Sequence, residues 1–455
     1  MKLARVTSFQ IIAILLSFTL GTTLVNADAT SNRTEALDDL SNALEKEKNL
    51  SPDTKQALDN LIDALRTESP DINARREQLK RDILIDMEKR ASMDDSFMQI
   101  ISEVVDKLKI KADLRLRHES NFELPGAKNR HRQRVRARVA ANWQVVEELL
   151  IGGRLITGDR DDPNSPHQTL GSSTFNSFEV SLDRAFATYR PESIEGLYVT
   201  AGKFGHPFQT NPVYGELVWD GDVQPEGVVI GYTKNREGKL EKISIVAGEY
   251  IVLEQGGGSE VLMTVIQVAG HCRLSENVTA DASVGYYYYG NPTPDWSLGV
   301  IGDNSGNAVI DTNGDMIADQ FVSDFGIINP IIAVTCDAWN VPVTVSGEYI
   351  YNSRAKGDRD EGWAVGVAAG KTKKEGDCRV YYQWQVVEQD AVFSPFAQDD
   401  FLLTTNHRSH VFGVKYLWFD KATLHLWALV SEPDHPMGGS NDNRWRIRFD
   451  LNIKN

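Results

Sequence analysis

The hydrophobic positions of this chain follow three successive rhythms. Lys2 and Arg5 precede an apolar run from Ile11 to Leu20, and Val25-Asn26-Ala27 supplies the small-x-small pattern read by signal peptidase. The run is shorter than the about 20 residues of a membrane-crossing helix. Residues 1–27 are therefore expected to be a signal peptide cleaved after Ala27, with an uncleaved anchor as the alternative. From Asp28 to Leu108 apolar residues recur at three- and four-residue steps, as in Leu37, Leu40 and Leu44, then Leu58, Leu61, Ile62 and Leu65, then Leu79, Ile83 and Met87. Ser51-Pro52 reads as an N-cap followed by proline at the first helical position. The stripes are narrow and their opposite faces densely charged, which predicts a short α-helical or coiled-coil segment over 28–108. That segment is either a solvated spacer or an element that self-associates or contacts the peptidoglycan wall.

From Lys109 to the end the period falls to two. Ile110, Ala112, Leu114 and Leu116 alternate with Lys111, Asp113, Arg115 and Arg117. Near the C-terminus Trp445, Ile447, Phe449, Leu451 and Ile453 alternate with Arg446, Arg448, Asp450 and Asn452. One such strand fits a soluble sandwich equally well. Three features favour a membrane barrel: aliphatic residues on the apolar phase with Trp and Tyr near strand ends, strands of about ten residues, and connections that alternate between short and long. Strands are expected to begin near Lys109, Arg132, Glu148, Phe178, Leu197, Glu226, Glu241, Glu260, Asn277, Pro330, Pro342, Gly362, Cys378, Arg408, Ala422 and Arg444. The fold class is thus all-β, a transmembrane antiparallel β-barrel of about sixteen strands over 109–455. An even count returns both termini to the short-turn, periplasmic side, and the long connections Gly158–Asn176, Phe204–Pro225, Tyr289–Asn329 and Glu388–His407 lie opposite.

Composition narrows the function. The chain is 41% hydrophobic with no apolar run of membrane length after the first thirty residues, so a helical membrane protein is excluded. A net charge of −16 argues against nucleic acid as a partner. Cys272, Cys336 and Cys378 fit no zinc spacing, and they read as small buried thiols or as one bridge with a cysteine left over.

The alternating segments Ile110-Lys111-Ala112-Asp113-Leu114-Arg115 and Arg134-Val135-Arg136-Ala137-Arg138 carry a family resemblance. So do Ser181-Leu182-Asp183-Arg184-Ala185-Phe186, Ala201-Gly202-Lys203-Phe204 and Val229-Ile230-Gly231-Tyr232. Over about Lys109 to Asn455 the chain resembles the bacterial putative-porin family, related in architecture to general porins. The resemblance implies a barrel in outer-membrane lipid giving passive diffusion to small polar solutes and ions, with monomer and homotrimer both open. The chain departs from it by ending Ile453-Lys454-Asn455 rather than on an aromatic residue, which leaves Phe449 as the candidate for that role.

A porin's chemistry lies in its constriction. Arg134, Arg136 and Arg138 share a strand face beside Arg115 and Arg117, and lipid cannot host them, so they are expected to line the lumen. Glu216, Asp220 and Asp222, in the connection Phe204–Pro225, would oppose them and set up a transverse field. The alternative is an inert wall of arginines paired with neighbouring carboxylates. In the longest connection Asp311, Asn313, Asp315 and Asp319 alternate like a calcium loop, although Met316 stands where glycine is usual; a solvated acidic loop is the other reading. No other cofactor is expected. His271, His407, His410 and His425 have no Ser or Asp partner at a recognisable spacing and no catalytic motif occurs, so no enzymatic activity is expected. A structural or adhesive barrel tethered through the helical segment is the second functional class.

Overall fold

A computed structural model describes residues 107–455 apart from 123–127, 159–163, 173, 216, 255–259, 294–305, 402 and 436–442, and of the preceding chain only residues 56, 59 and 81. The expected signal peptide (1–27) and helical segment (28–108) thus lie outside the described residues, except that Leu108 already opens the first strand. Residues 1–106 and 107–455 are separate units.

The second unit is a closed antiparallel barrel of sixteen strands. They are β1 (Leu108–Phe122), β2 (Arg130–Val146), β3 (Leu149–Thr157), β4 (Val180–Tyr189), β5 (Leu197–Lys203), β6 (Glu226–Asn235), β7 (Leu240–Leu253) and β8 (Val261–Ser275). The circuit continues through β9 (Val278–Gly290), β10 (Phe325–Ala338), β11 (Val341–Asn352), β12 (Glu361–Gly370), β13 (Cys378–Val387), β14 (His407–Phe419), β15 (Ala422–Pro433) and β16 (Arg444–Lys454). Each strand pairs with its sequence neighbours. The circuit closes through β1 and β16, from Asp113 opposite Lys454 to Phe122 opposite Trp445. β3 stops short, and a two-residue piece, Gln168–Thr169, takes its place beside Arg134 and Val135 of β2.

Seven turns of two to seven residues join the strands at one end and eight loops of seven to 34 residues at the other, close to the rhythm read from the sequence. The tightest turns have two residues, and at Trp339-Asn340 both have positive φ (52° and 65°), the geometry whose twist matches the flanking strands. Both termini of the barrel lie at the turn end.

Along the strands Ile230, Val268, Val284, Ile332, Val345, Val367 and Leu426 point outward and are exposed. In hydrocarbon no water replaces a missing backbone partner, so a sheet facing lipid has to close on itself. Phe449 belongs to this outer face. Two of the three cysteines correct the expectation of buried thiols. Cys336 and Cys378 are exposed, unbridged and in phase with outward Val334 and Val380, because strand alternation turns them to the barrel's outer face.

The interior has two unlike halves. On β6–β13 many inward positions are apolar, including Val229, Tyr250, Val261, Met263, Val265, Tyr287, Tyr289, Phe325, Ile327 and Ile350, all at most 2% exposed. Phe204, Phe208, Leu217, Trp219, Phe321, Phe393 and Phe396 from three long loops pack into the same cluster. This half is largely apolar, with buried polar side chains such as Gln267, Asn329, Ser346, Glu348 and Gln383 set among the rings. The other half, on β1–β4 and β13–β16, is polar and charged.

Candidate functional site

β1 and β2 are paired so that Arg117 lies opposite Arg134, Arg115 opposite Arg136, and Asp113 opposite Arg138. All five guanidiniums take the inward phase; one facing lipid near midplane would cost about 2–4 kcal/mol. Closure sets β16 against β1 and adds Arg446, Arg448 and Asp450 to the wall. Arg154 on β3 and Arg184 on β4 extend it on the other side and are again direct cross-strand partners.

Two loops fold against this wall. Residues 204–225 cross the lumen and are pinned by polar side chains of distant strands. Gln267 of β8 accepts from the Gln209 N–H (2.6 Å) and donates to its carbonyl (3.0 Å), Ser346 of β11 donates to Asn211 (2.7 Å), and Arg379 of β13 donates to the Pro212 carbonyl (2.7 Å). Gly366 of β12 makes room for Val213: a Cβ there would sit 2.8 Å from the valine methyl. The returning limb brings Asp222 to the wall, where it accepts from Arg136 (3.4 Å) and Arg138 (3.3 Å). The same two arginines also donate to Asp113 (3.1 and 2.7 Å). Asp220 lines the same space, but its carboxylate accepts the Asp222 N–H at 2.6 Å and its own N–H donates to the Phe396 carbonyl. Glu216 lies outside the described residues.

The second luminal loop, residues 388–406, was not expected at the site. Asp400 accepts from Arg448 and Tyr214, and Arg448 also donates to Glu119 at 2.6 Å. Burial alone would raise the Asp400 carboxyl, but Arg448 and then Arg117 hold it below its ordinary value. Asn307, from a third loop, ties the turn down by donating to the Gln389 and Val392 carbonyls (2.9 and 2.8 Å) and accepting from the Ser394 N–H (2.8 Å). His167, on the loop after β3, is held neutral, first by burial and then by Arg117 and Arg115.

Between wall and loops runs a polar cavity of about 530 Å³. Its lining includes all five of the expected arginines together with Asp220 and Asp222. It also includes Arg154, Arg184, Arg379, Lys415, Arg448, Asp399, Asp400 and Asp450, which sequence reasoning did not assign to the site. A signal for part of this set existed. Arg446, Arg448 and Asp450 alternate just as Arg134, Arg136 and Arg138 do, and an even-stranded closed barrel must seat its last strand beside its first.

The remaining candidates stand apart. Asp311 spends its carboxylate on the N–H groups of Gly314 and Met316 (2.7 Å each), Asp319 on Thr312, and Asp315 on Ile317 and Asn313. Among the described residues no three His, Cys, Asp or Glu side chains are placed to hold a metal ion. His407 meets Ser409 at 2.6 Å, but both are at most 2% exposed. His425 bonds the Tyr381 hydroxyl, and His410 bonds Tyr382 on the outer face.

A closed sixteen-stranded barrel with a loop folded across its lumen is the architecture of a porin. The putative-porin family matches residues 124–261 of this chain, which bears out the resemblance read from its strands. Among solved structures the chain is similar to OprB of Pseudomonas putida, at 11% identity and a TM-score of 0.52 over 79% of this chain and 96% of that one. It is also similar to OmpF of Salmonella typhi (11%, TM-score 0.45, 76% and 97%) and to the outer membrane channel DcaP of Acinetobacter baumannii (11%, 0.42, 77% and 98%). The likeness of fold rests on the first of these alone. No curated protein matches the chain by sequence.

Proposed function

We propose that the protein is an outer-membrane porin through which small polar solutes and ions diffuse passively, sorted in the charged cavity lined by the arginine wall and the Asp222 bound to it. The polar cavity beside the wall carries this reading, because a plugged structural barrel has no use for a charged open path along one side of its interior. The apolar packing of three loops in the other half supports the second reading, a structural or adhesive barrel tethered through residues 28–108. Planar-bilayer recording separates the two: a porin gives discrete open steps, and their absence from correctly folded protein sinks the channel reading.

The orientation follows from the loop lengths, since barrels of this class keep short turns in the periplasm and longer loops outside. Met316 and Trp339 are more than nine-tenths exposed at opposite ends. In intact cells a membrane-impermeant thiol reagent should label Met316→Cys and spare Trp339→Cys, with the three native cysteines replaced by alanine. The reverse pattern overturns the orientation.

A homotrimer is supported by an uneven girdle. At the loop end Tyr286, Tyr288, Tyr349, Tyr351, Trp363, Trp384 and Trp445 face outward from β9, β11–β13 and β16. β5–β8 carry Lys203, Glu226, Glu249 and Thr264 there instead. Headgroups favour aromatic rings, so the polar stretch suits a second barrel better than lipid. Native mass spectrometry of the purified protein should read three copies. Deleting residues 28–108 should leave a barrel that still inserts and conducts; loss of the folded barrel would make that segment a template rather than a wall-contacting appendage.

A further inference from the structure

Among the described residues the arginine wall has more cations than carboxylates, even with Asp113, Glu119 and Asp183, which pair with it from outside the cavity lining. In a chain of net charge −16, the polar cavity is lined by ten Arg and Lys side chains against five Asp. Most of the arginines have a carboxylate: Arg115 and Arg117 share Asp450, Arg136 and Arg138 share Asp113 and Asp222, Arg154 has Asp183, and Arg448 has Glu119 and Asp400. Three have none in direct ion-pair contact among the described residues, although Glu119 acts on Arg134, and Asp183 and Asp222 on Arg184, from further off. Arg134 donates to the Ser165 hydroxyl and the His167 carbonyl, Arg184 to the Gln224 side chain (2.8 Å), and Arg379 to the carbonyls of Pro212 and Val213. Neutral oxygens orient a guanidinium without discharging it.

The register sharpens the point. Arg117 opposes Arg134, Arg115 opposes Arg136 and Arg154 opposes Arg184 as direct cross-strand pairs. Like charges placed so, with Cβ atoms about 4.5–5.5 Å apart, destabilise a sheet unless something bridges them. Chloride cancels one charge of such a pair. An anion with two charges and several oxygens cancels both, and its geometry suits the guanidinium fork. Alternate residues on a strand are about 6.6 Å apart, so successive rungs lie within the length of one small dianion and its neighbour. That spacing permits hand-over between sites, which conduction needs if binding is not to become a trap.

We infer that the cavity is a binding path for small divalent oxyanions, dicarboxylate or phosphate, bridged between the opposed arginine pairs and taken up by Arg134 and Arg184. This rests on the channel reading for its transport role, but the binding is measurable without conduction. Isothermal titration of the detergent-folded full-length protein with succinate and with inorganic phosphate, at low ionic strength and pH 7, reads it directly. The wild type should bind at least one of the two anions, and the same anion should block chloride current in a bilayer. Block by succinate alone identifies carboxylates, and block by phosphate alone identifies phosphate. Arg134→Gln with Arg184→Gln should weaken binding by tenfold or more. Arg184→Gln alone, which removes only a bond to Gln224, tests the same site with the least disturbance to the fold. Heat of binding without open steps would sink the channel and keep the site. Absence of binding by both anions to folded wild type, or binding unchanged in both variants, overturns the inference whatever the bilayer shows.

Discussion

Replacing Arg134, Arg136 and Arg138 together with glutamine shifts the reversal potential toward cations, by on the order of 20 mV in a tenfold potassium chloride gradient. Perfect selectivity would give about 60 mV, since a unit charge gains about 2.3 kcal/mol per 100 mV. The size of the shift follows from confinement. The three side chains stand on one inward face of β2 and line the polar cavity, with a largely apolar half-barrel behind the loops that oppose them. Charges beside a low-dielectric wall are felt more strongly than in bulk water. Asp222→Asn should move the potential the other way and by less, because one carboxylate serves Arg136 and Arg138 at once. Asp220→Asn should act through the loop, whose turn it closes, more than through the field. Both shifts should fade between 0.1 M and 1 M salt, as the screening length falls from about 10 Å to about 3 Å. Neither should change between pH 6 and pH 8, because arginine stays charged there and His167 is held neutral. A triple variant whose reversal potential at low salt equals that of the wild type would show that ions do not pass along this wall.

The strands were legible because alternation is a local property. The starts expected at Leu197, Glu226, Cys378, Ala422 and Arg444 coincide with β5, β6, β13, β15 and β16. β10 was placed from Pro330 but begins at Phe325. Phe325-Gly326-Ile327-Ile328-Asn329-Pro330 does not alternate, since Phe325 and Ile327 enter the apolar half while Ile328 faces outward. Pro330 also sits within the strand, where its missing N–H interrupts the ladder, and the pairing with β11 skips from Ile328 to Ile331. The inner arginines followed from the cost of putting them in lipid. What sits opposite them depends on how long loops fold back across the lumen, and no periodicity encodes that. A cue for the second loop was present even so: Ala391-Val392-Phe393-Ser394-Pro395-Phe396-Ala397 is too apolar for a solvated connection. The runs Val261–Val268 and Phe325–Val334 likewise have apolar residues on both phases, the pattern of strands dry on both faces.

Shortening the loop across the lumen, by replacing residues 209–222 with a few glycine and serine residues, should raise single-channel conductance about twofold or more and let larger neutral sugars through. A sixteen-stranded barrel encloses a wide aqueous channel unless something fills it. Here the filling is specific: Leu217, Val218 and Trp219 pack with Phe208, Phe396 and the inward rings of β7 and β9. Removing them also takes away the carbonyl that Arg379 binds, the carboxylate shared by Arg136 and Arg138, and the hydroxyl that Tyr214 donates to Asp400. The shortened barrel should therefore melt earlier as well as conduct more. Trp219→Ala separates the two effects. Emptying that site costs about 3–5 kcal/mol of packing, while the pins at Gln267, Ser346 and Arg379 still hold residues 209–212 to β8, β11 and β13. Its conductance should stay near that of the wild type with added gating noise, and its melting temperature should fall. If the shortened loop leaves conductance and the sugar cut-off unchanged, the narrowest part of the path lies elsewhere, and the limb carrying Asp222 does not set it.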